Sequence, residues 1–189
     1  MRCHYNLINL PFNFVPFEVR KDDPLNENGM LEKTINQNDL INHNKDFLDW
    51  IHKQDLTLQP GRYFESAPNC QYLLHRDTYD LKNINVDLVK FNFVFDSVGT
   101  KMSWYKTNPL YEGEVFTNVL KDPMIKYDRK KCKVIYTTPV DSHCMINGGV
   151  IHDLMNFSNF GRNRRCYSFI INNLSWNQAV EKFSDYLKV

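Results

Sequence analysis

Apolar and polar positions in this 189-residue chain follow two periods, one helical in the first third and one extended from residue 62 onward. Between Asn38 and Lys53, Leu40, Ile41, Phe47, Leu48, Trp50 and Ile51 recur at the spacing that puts side chains on one helical face. Asn38 or Asp39 is placed to cap the start, and Gln59-Pro60-Gly61 marks a turn beyond the end. From Arg62 the pattern shortens to strands. Tyr63-Phe64 and Tyr72 to Leu74 are brief apolar runs bounded by turn residues. Val86 to Phe95 alternates, with Leu88, Lys90, Asn92 and Val94 on one face and Val89, Phe91, Phe93 and Phe95 on the other. Lys101 to Lys106, Lys133 to Thr138, Cys144 to Asn147, Val150 to Leu154 and Arg164 to Asn172 follow as strands. A short helix from Asn177 to Leu187, with Ser175 as its cap, comes last. Seven or eight short strands behind a helix predict a mainly β fold with flanking helices, an antiparallel barrel or jelly roll in place of βαβ units.

Composition narrows the function classes. The length suits one domain, residues 1–189, divided into an N-terminal mixed or helical segment (1–61), a barrel core (62–173) and a C-terminal helix (174–189). Lys and Arg number 23 against 22 Asp and Glu, so no general basic surface argues for nucleic acid. The one basic knot, Lys126 to Lys133, reads as a solvated turn into a strand. No apolar run approaches the ~20 residues that span a bilayer. Polar and proline residues break up Met1 to Phe17, which argues against a secretory signal. Cys3, Cys70, Cys132, Cys144 and Cys166 form no CxxC pair, so zinc-ribbon and thioredoxin chemistry lack support. Reduced thiols in a cytoplasmic protein are the expectation. Partner and oligomeric state are not legible beyond a protein or small-molecule substrate, without a membrane.

The candidate chemistry lies at His75-Arg76-Asp77, directly after the apolar run Tyr72 to Leu74. On an extended chain residues i and i+2 point to one side, so His75 and Asp77 can face one metal. His152, on a later strand, is placed to supply the third ligand. Two histidines and one carboxylate form the facial triad of non-haem iron(II) oxygenases. The spacing alone is weak, because 6 His among so many Asp give roughly even odds of one HxD by chance. Context adds weight. Arg162, Arg164 and Arg165 stand 10 to 13 residues beyond His152, where a guanidinium could hold the far carboxylate of a dicarboxylate cosubstrate. Arg164 and Ser168 are four apart and share a strand face.

The run Pro68-Asn69-Cys70-Gln71-Tyr72-Leu73-Leu74-His75-Arg76-Asp77 resembles the first metal strand of aspartyl/asparaginyl β-hydroxylase-like 2-oxoglutarate oxygenases. Lys90 to Phe95 with Lys101 to Tyr105, then Ile146-Asn147, His152 and Asn156, then Arg164 to Phe169, resemble that family's later core strands in the same order. The likeness covers roughly residues 38–173. It implies a double-stranded β-helix (jelly-roll, cupin-like) barrel that uses Fe(II) and 2-oxoglutarate to hydroxylate a protein side chain or small amino-acid-like substrate. His75, Asp77 and His152 carry over as iron ligands. Arg164 carries over as the anchor of the 2-oxoglutarate C5 carboxylate, with Arg165 the alternative if the register shifts by one. Ser168 assists, and Asn92, Trp104 and Tyr105 line the pocket. The chain departs from the family at Lys90, where an arginine often leads the strand, and at residues 1–37 and beyond Asn173, which have no counterpart.

Two other classes fit parts of the pattern. A cupin-like metal protein without 2-oxoglutarate would use another His set, with His143 joining His75 and His152. In a non-catalytic barrel serving as a binding module, the HxD motif and His152 would not meet in space.

Overall fold

The computed structural model describes residues 4–19, 22–78, 87–157 and 163–188. In chain order the first strands are β1 (Tyr5–Leu7), β2 (Met30–Thr34), β3 (Arg62–Ser66), β4 (His75–Asp77), β5 (Val89–Phe95) and β6 (Thr100–Thr107). They are followed by β7 (Glu114–Thr117), β8 (Pro123–Lys126), β9 (Cys132–Pro139), β10 (Cys144–Asn147), β11 (His152–Asn156) and β12 (Arg164–Ile170). Helix α1 (Gln37–Lys53) lies between β2 and β3, and α2 (Trp176–Lys182) follows β12. The fold is mainly β, with few helices. Two six-stranded sheets run in the orders β1-β10-β5-β12-β3-β2 and β7-β8-β4-β11-β6-β9, and the neighbours in each are antiparallel. Consecutive strands β3, β4, β5 and β6 alternate between the sheets, as do β10, β11 and β12. Residues remote in sequence thereby meet across one interior.

The alternation of β5 sorts its side chains between two environments. Val89, Phe91 and Phe93 join a core with Phe14, Phe47, Trp50, Tyr167, Phe169 and Phe183 on the outer side of the first sheet. Lys90 and Asn92 point the other way, into a cavity between the sheets. The aromatic layer is dense: Phe14 and Phe93 stack with centroids 4.0 Å apart, and Phe47 meets Phe93 edge-on at 5.2 Å. Helix α1 contributes Leu40, Phe47, Trp50 and Ile51 to this layer; of the other two expected apolar positions, Leu48 packs at its margin and Ile41 is exposed. Asn44 interrupts the helical backbone (φ −138, ψ 44). Its side-chain amide accepts from Val15 N at 2.7 Å and donates to Val15 O at 2.9 Å, pinning the N-terminal segment over the sheet. Tyr167 OH bonds the backbone of Phe17 to the same end.

Local expectations and observed elements differ in instructive places. The cap of α1 is Asn36, whose side chain accepts from Asn38 N, two to three residues before the expected positions. Ser175 caps α2 in a reciprocal box with Gln178, and the helix ends at Lys182 before a short 3-10 turn at Ser184–Tyr186. Tyr72 to Leu74 is not a strand. The strand is His75–Asp77 itself, because pairing with β8 and β11 begins there. Strands β1, β2, β7 and β8 were not anticipated, since each is three to five residues long with no clean alternation. The basic knot forms a 3-10 turn, Arg129–Lys131, leading into β9. No helix among the described residues is long and apolar enough to cross a membrane.

Candidate metal centre

His75 and His152 are direct cross-strand partners in the β4–β11 pair. Opposed residues of an antiparallel pair project to the same face with close Cβ atoms, so the rings meet with centroids 4.5 Å apart. Asp77, two residues on, joins them on that face. Its Oδ1 is 3.7 Å from His75 Nε2 and its Oδ2 is 3.6 Å from His152 Nε2. One ligand atom from each of the three lies within 4.8 Å of the others, so the cluster can hold a metal ion. Metal bonds of ~2.1 Å at right angles put neighbouring donors roughly 3 Å apart, a spacing the three side chains reach by small adjustments.

The hydrogen bonds around the rings prepare them as ligands. His75 Nδ1 is 2.7 Å from the Leu73 carbonyl, and His152 Nδ1 is 2.7 Å from the Val150 carbonyl. A carbonyl only accepts, so both Nδ1 atoms carry the proton and both Nε2 lone pairs face Asp77. Burial lowers the pKa of both rings, and for His152, with His75 next to it, the value falls to about 3. Both imidazoles are therefore neutral near pH 7. Burial by itself would raise the Asp77 carboxyl, but the Lys90 ammonium beside it outweighs that and holds it below the usual carboxylate range. Lys90 Nζ donates to Asp77 Oδ2 at 2.6 Å from β5 in the opposite sheet. The donor set is thus two neutral nitrogens and one ionised carboxylate. It fits a divalent cation.

The backbone around Asp77 is equally specific. Asp77 N donates to the Gly148 carbonyl at 3.1 Å. A Cβ at Gly148 would lie 2.5 Å from Asp77 Oδ2, so only glycine admits the carboxylate at this distance. Asn147 shapes the turn that carries Gly148. Its Oδ1 accepts from Leu88 N and Gly149 N, each at 3.1 Å, and its Nδ2 donates to Asp87 at 2.8 Å.

The cluster opens into a cavity of about 320 Å³ between the sheets. Arg164 and Ser168 line it from β12, and Lys90 and Asn92 from β5. Arg164 is 3% exposed, and its buried Nε has no hydrogen-bond partner among the described residues. Asn92 Oδ1 and the Tyr72 hydroxyl are likewise buried without a partner. Arg165 faces the other side of the sheet, where its Nε donates to Asp96 at 2.6 Å, so the register puts Arg164 and not Arg165 in the cavity. Arg162 lies outside the described residues.

Two expected pocket residues, Trp104 and Tyr105, and the alternative ligand His143 lie elsewhere. Trp104 is fully buried but packs with Tyr5, Cys144 and Ile146 and against Tyr136, and it is not part of the cavity lining. Although it pairs with His152 across β6 and β11, the indole fills the adjacent apolar core. Tyr105, one residue on, turns to the opposite face and donates to Asp153 at 2.9 Å, where Arg129 also pairs. His143 sits among Phe93 and Phe95, with Val94 N donating to its Nδ1 at 3.1 Å, and takes no part in the His75–Asp77–His152 cluster. That placement removes the His set of the cupin alternative. The meeting of HxD and His152 within 4.8 Å removes the premise of the non-catalytic barrel.

Sequence reasoning missed Glu32, on β2, and the β7–β8 hairpin, both of which line the cavity. The short, irregular run Met30–Thr34 carries no signal that would have brought Glu32 to the site.

No family model matches the chain, and no curated protein does. Among solved structures, E. coli ycfD is similar at 14% identity and a TM-score of 0.42, covering 96% of this chain and 44% of that one. An oxalate oxidase in complex with the substrate analogue glycolate is similar at 11% identity and a TM-score of 0.38, covering 87% and 72%. The viral collagen prolyl hydroxylase vCPH from Paramecium bursaria chlorella virus-1, in its 2OG complex, shows 10% identity and a TM-score of 0.35, covering 75% and 77%. Likenesses this remote assign the chain to no family, so its chemistry is argued from its own site.

Proposed function

We propose that this protein is an Fe(II)- and 2-oxoglutarate-dependent oxygenase with a double-stranded β-helix core. The observation that carries the proposal is one cavity holding both a neutral-His, ionised-Asp triad and a buried arginine with no acidic partner among the described residues. A buried guanidinium with an unfilled donor is costly, and a carboxylate arriving in the cavity relieves that cost through charge-assisted hydrogen bonds. The strand orders β10-β5-β12-β3 and β4-β11-β6-β9, with consecutive strands alternating between sheets, support the jelly-roll reading.

His75, Asp77 and His152 would hold the metal, leaving one face open to ligands. Iron(II), when bound, supplies the redox chemistry that couples oxidative decarboxylation of 2-oxoglutarate to hydroxylation of a C–H bond. Arg164 anchors the far carboxylate of the cosubstrate, and Ser168 and Asn92 offer hydrogen bonds along the same wall. Lys90 orients Asp77 and neutralises it before metal arrives. Leu88, Met102, Ile146, Leu154 and Ile170 form an apolar lining that limits water around the reacting groups. The substrate is a side chain of a protein or a small amino-acid-like molecule. The family resemblance favours an Asp/Asn-type side chain, whereas the carboxylate of Glu32 in the cavity argues for a different charge.

Anaerobic addition of Fe(II) and 2-oxoglutarate should produce a metal-to-ligand charge-transfer absorption, and air should then release succinate. Arg164→Leu should weaken 2-oxoglutarate binding by roughly 30-fold or more, on the order of 2 kcal/mol. Arg165→Leu should leave it within about threefold, because that side chain serves Asp96 outside the cavity. A folded, metal-loaded wild type without the absorption would overturn the proposal.

A further inference from the structure

The charged groups lining the cavity do not all pair. Arg62 holds Asp122 bidentately, Nε to Oδ2 at 2.8 Å and a terminal nitrogen to Oδ1 at 2.7 Å. Lys90 holds Asp77. Arg164 and Glu32 remain, with opposite signs and no ion-pair partner among the described residues; Glu32 Oε2 is buried and has no hydrogen bond. The two stand in different zones. Arg164 is buried at the start of β12, two residues from Cys166, whereas Glu32 lies on β2, an edge strand of the first sheet, among half-buried residues.

The surroundings of Glu32 define what would meet it. Phe64 is its cross-strand partner on β3, and Met30 lies two residues away on the same face. From the facing sheet, Phe116 and Met124 are paired across β7 and β8, and Met124 is also the partner of Asp77. These four apolar side chains line the same cavity as Glu32 and the metal cluster. Burial, followed by Asp77 and opposed by Lys90, pushes the Glu32 carboxyl up to about 7; Asp122 and Arg62 also act on it. The two cations that act on it, Lys90 and Arg62, are already paired with Asp77 and Asp122, so this half-buried carboxylate has no cation of its own among the described residues.

We infer that Glu32 is a substrate-recognition residue that receives a cation, an ammonium or guanidinium carried on an aliphatic stem, with the stem lying along Met30, Phe64, Phe116 and Met124. The inference rests on the oxygenase reading for its reaction and narrows the substrate of that same site. The division of labour follows from charge: the cosubstrate dianion goes to Arg164 and the cationic substrate to Glu32. The shared chemistry covers a free basic amino acid and a basic side chain of a protein.

The test is calorimetric titration of the full-length protein at pH 8, with and without Mn(II) plus 2-oxoglutarate. The probes are lysine, Nα-acetyl-lysine methylamide, Nα-acetyl-arginine methylamide, the norleucine counterpart and the asparagine counterpart. Wild type should bind at least one cationic probe ~10-fold more tightly than the uncharged norleucine counterpart, the effect of one charge-assisted hydrogen bond. Glu32→Gln should abolish that preference, and Glu32→Asp should restore part of it, with circular dichroism verifying the fold of each. Preference for free lysine over the blocked probe supports an amino-acid substrate, and the reverse supports a protein side chain. Equal binding by wild type and Glu32→Gln, absence of binding by every cationic probe, or preference for the asparagine probe overturns the inference. Binding is read apart from turnover. A Glu32-dependent preference without succinate release removes the oxygenase reading and leaves the cation subsite, whereas succinate release without the preference removes the subsite alone.

Discussion

Strand β5 has two faces that do opposite work. Toward α1 it presents Val89, Phe91 and Phe93, each at most 1% exposed and locked into an aromatic layer. Toward the second sheet it presents Lys90 and Asn92, buried polar groups beside a cavity. The first face lowers the free energy of the fold through apolar burial and close packing. The second raises it, because Asn92 Oδ1 has no partner among the described residues and Lys90 satisfies one carboxylate that also faces two histidines. Stability is concentrated on one side of a single strand so that the other side can keep unfilled ligand and hydrogen-bonding positions. That division is expected of a site built to receive something.

Substitutions on the two faces should separate these roles. Phe93→Ala should cost about 3–5 kcal/mol of unfolding free energy in denaturant titrations, while the folded fraction keeps its metal affinity. Loss of metal affinity in the folded fraction would show that the two faces are not independent. On the other face, Lys90→Met should destabilise the metal-free protein by about 3 kcal/mol, since Asp77 is left buried without its counter-charge. Saturating Mn(II) should recover most of that loss, and an equal deficit with and without metal would count against Lys90 as the neutralising partner.

Smaller changes sharpen the comparison. Gly148→Ala forces a methyl group against Asp77 Oδ2 and should weaken Mn(II) binding by about 10–100-fold, measured by paramagnetic titration, with a modest change in melting temperature. The smallest effect concerns pH. The Glu32 carboxyl titrates at about 7 in the fold against an ordinary 4.5, so the native state holds a proton that the unfolded chain releases earlier. Stability from this group is complete below pH 4.5 and declines as pH rises through 7. Glu32→Gln removes the decline. It should be more stable than wild type by about 1–2 kcal/mol at pH 8, after allowance for partial solvent access, and indistinguishable at pH 4.

Much of this was legible in the residues. The i, i+2 spacing puts His75 and Asp77 on one face wherever the chain is extended, and the alternation from Leu88 to Phe95 sorts one strand between core and cavity. The apolar face of α1 and the Ser175 cap of α2 were equally local. Such features depend on backbone geometry within a few residues, which sequence spacing encodes directly.

Other features depended on which strand lies beside which. A one-residue shift of β12 would exchange Arg164 for Arg165 in the cavity, and only pairing with β3 and β5 selects Arg164. The register that sets His152 opposite His75 is likewise nonlocal, as is the reach of Lys90 across the interior to Asp77. Trp104 shares a sheet face with His152, yet apolar packing draws its ring out of the cavity lining. Glu32 enters from an edge strand too short to announce itself. The sequence by itself determined that two histidines and an aspartate were available on extended chain. The tertiary structure decided that they converge in a cavity shared with one buried arginine and one carboxylate that has no ion-pair partner among the described residues, because strand pairing alone fixes register between segments far apart in the chain.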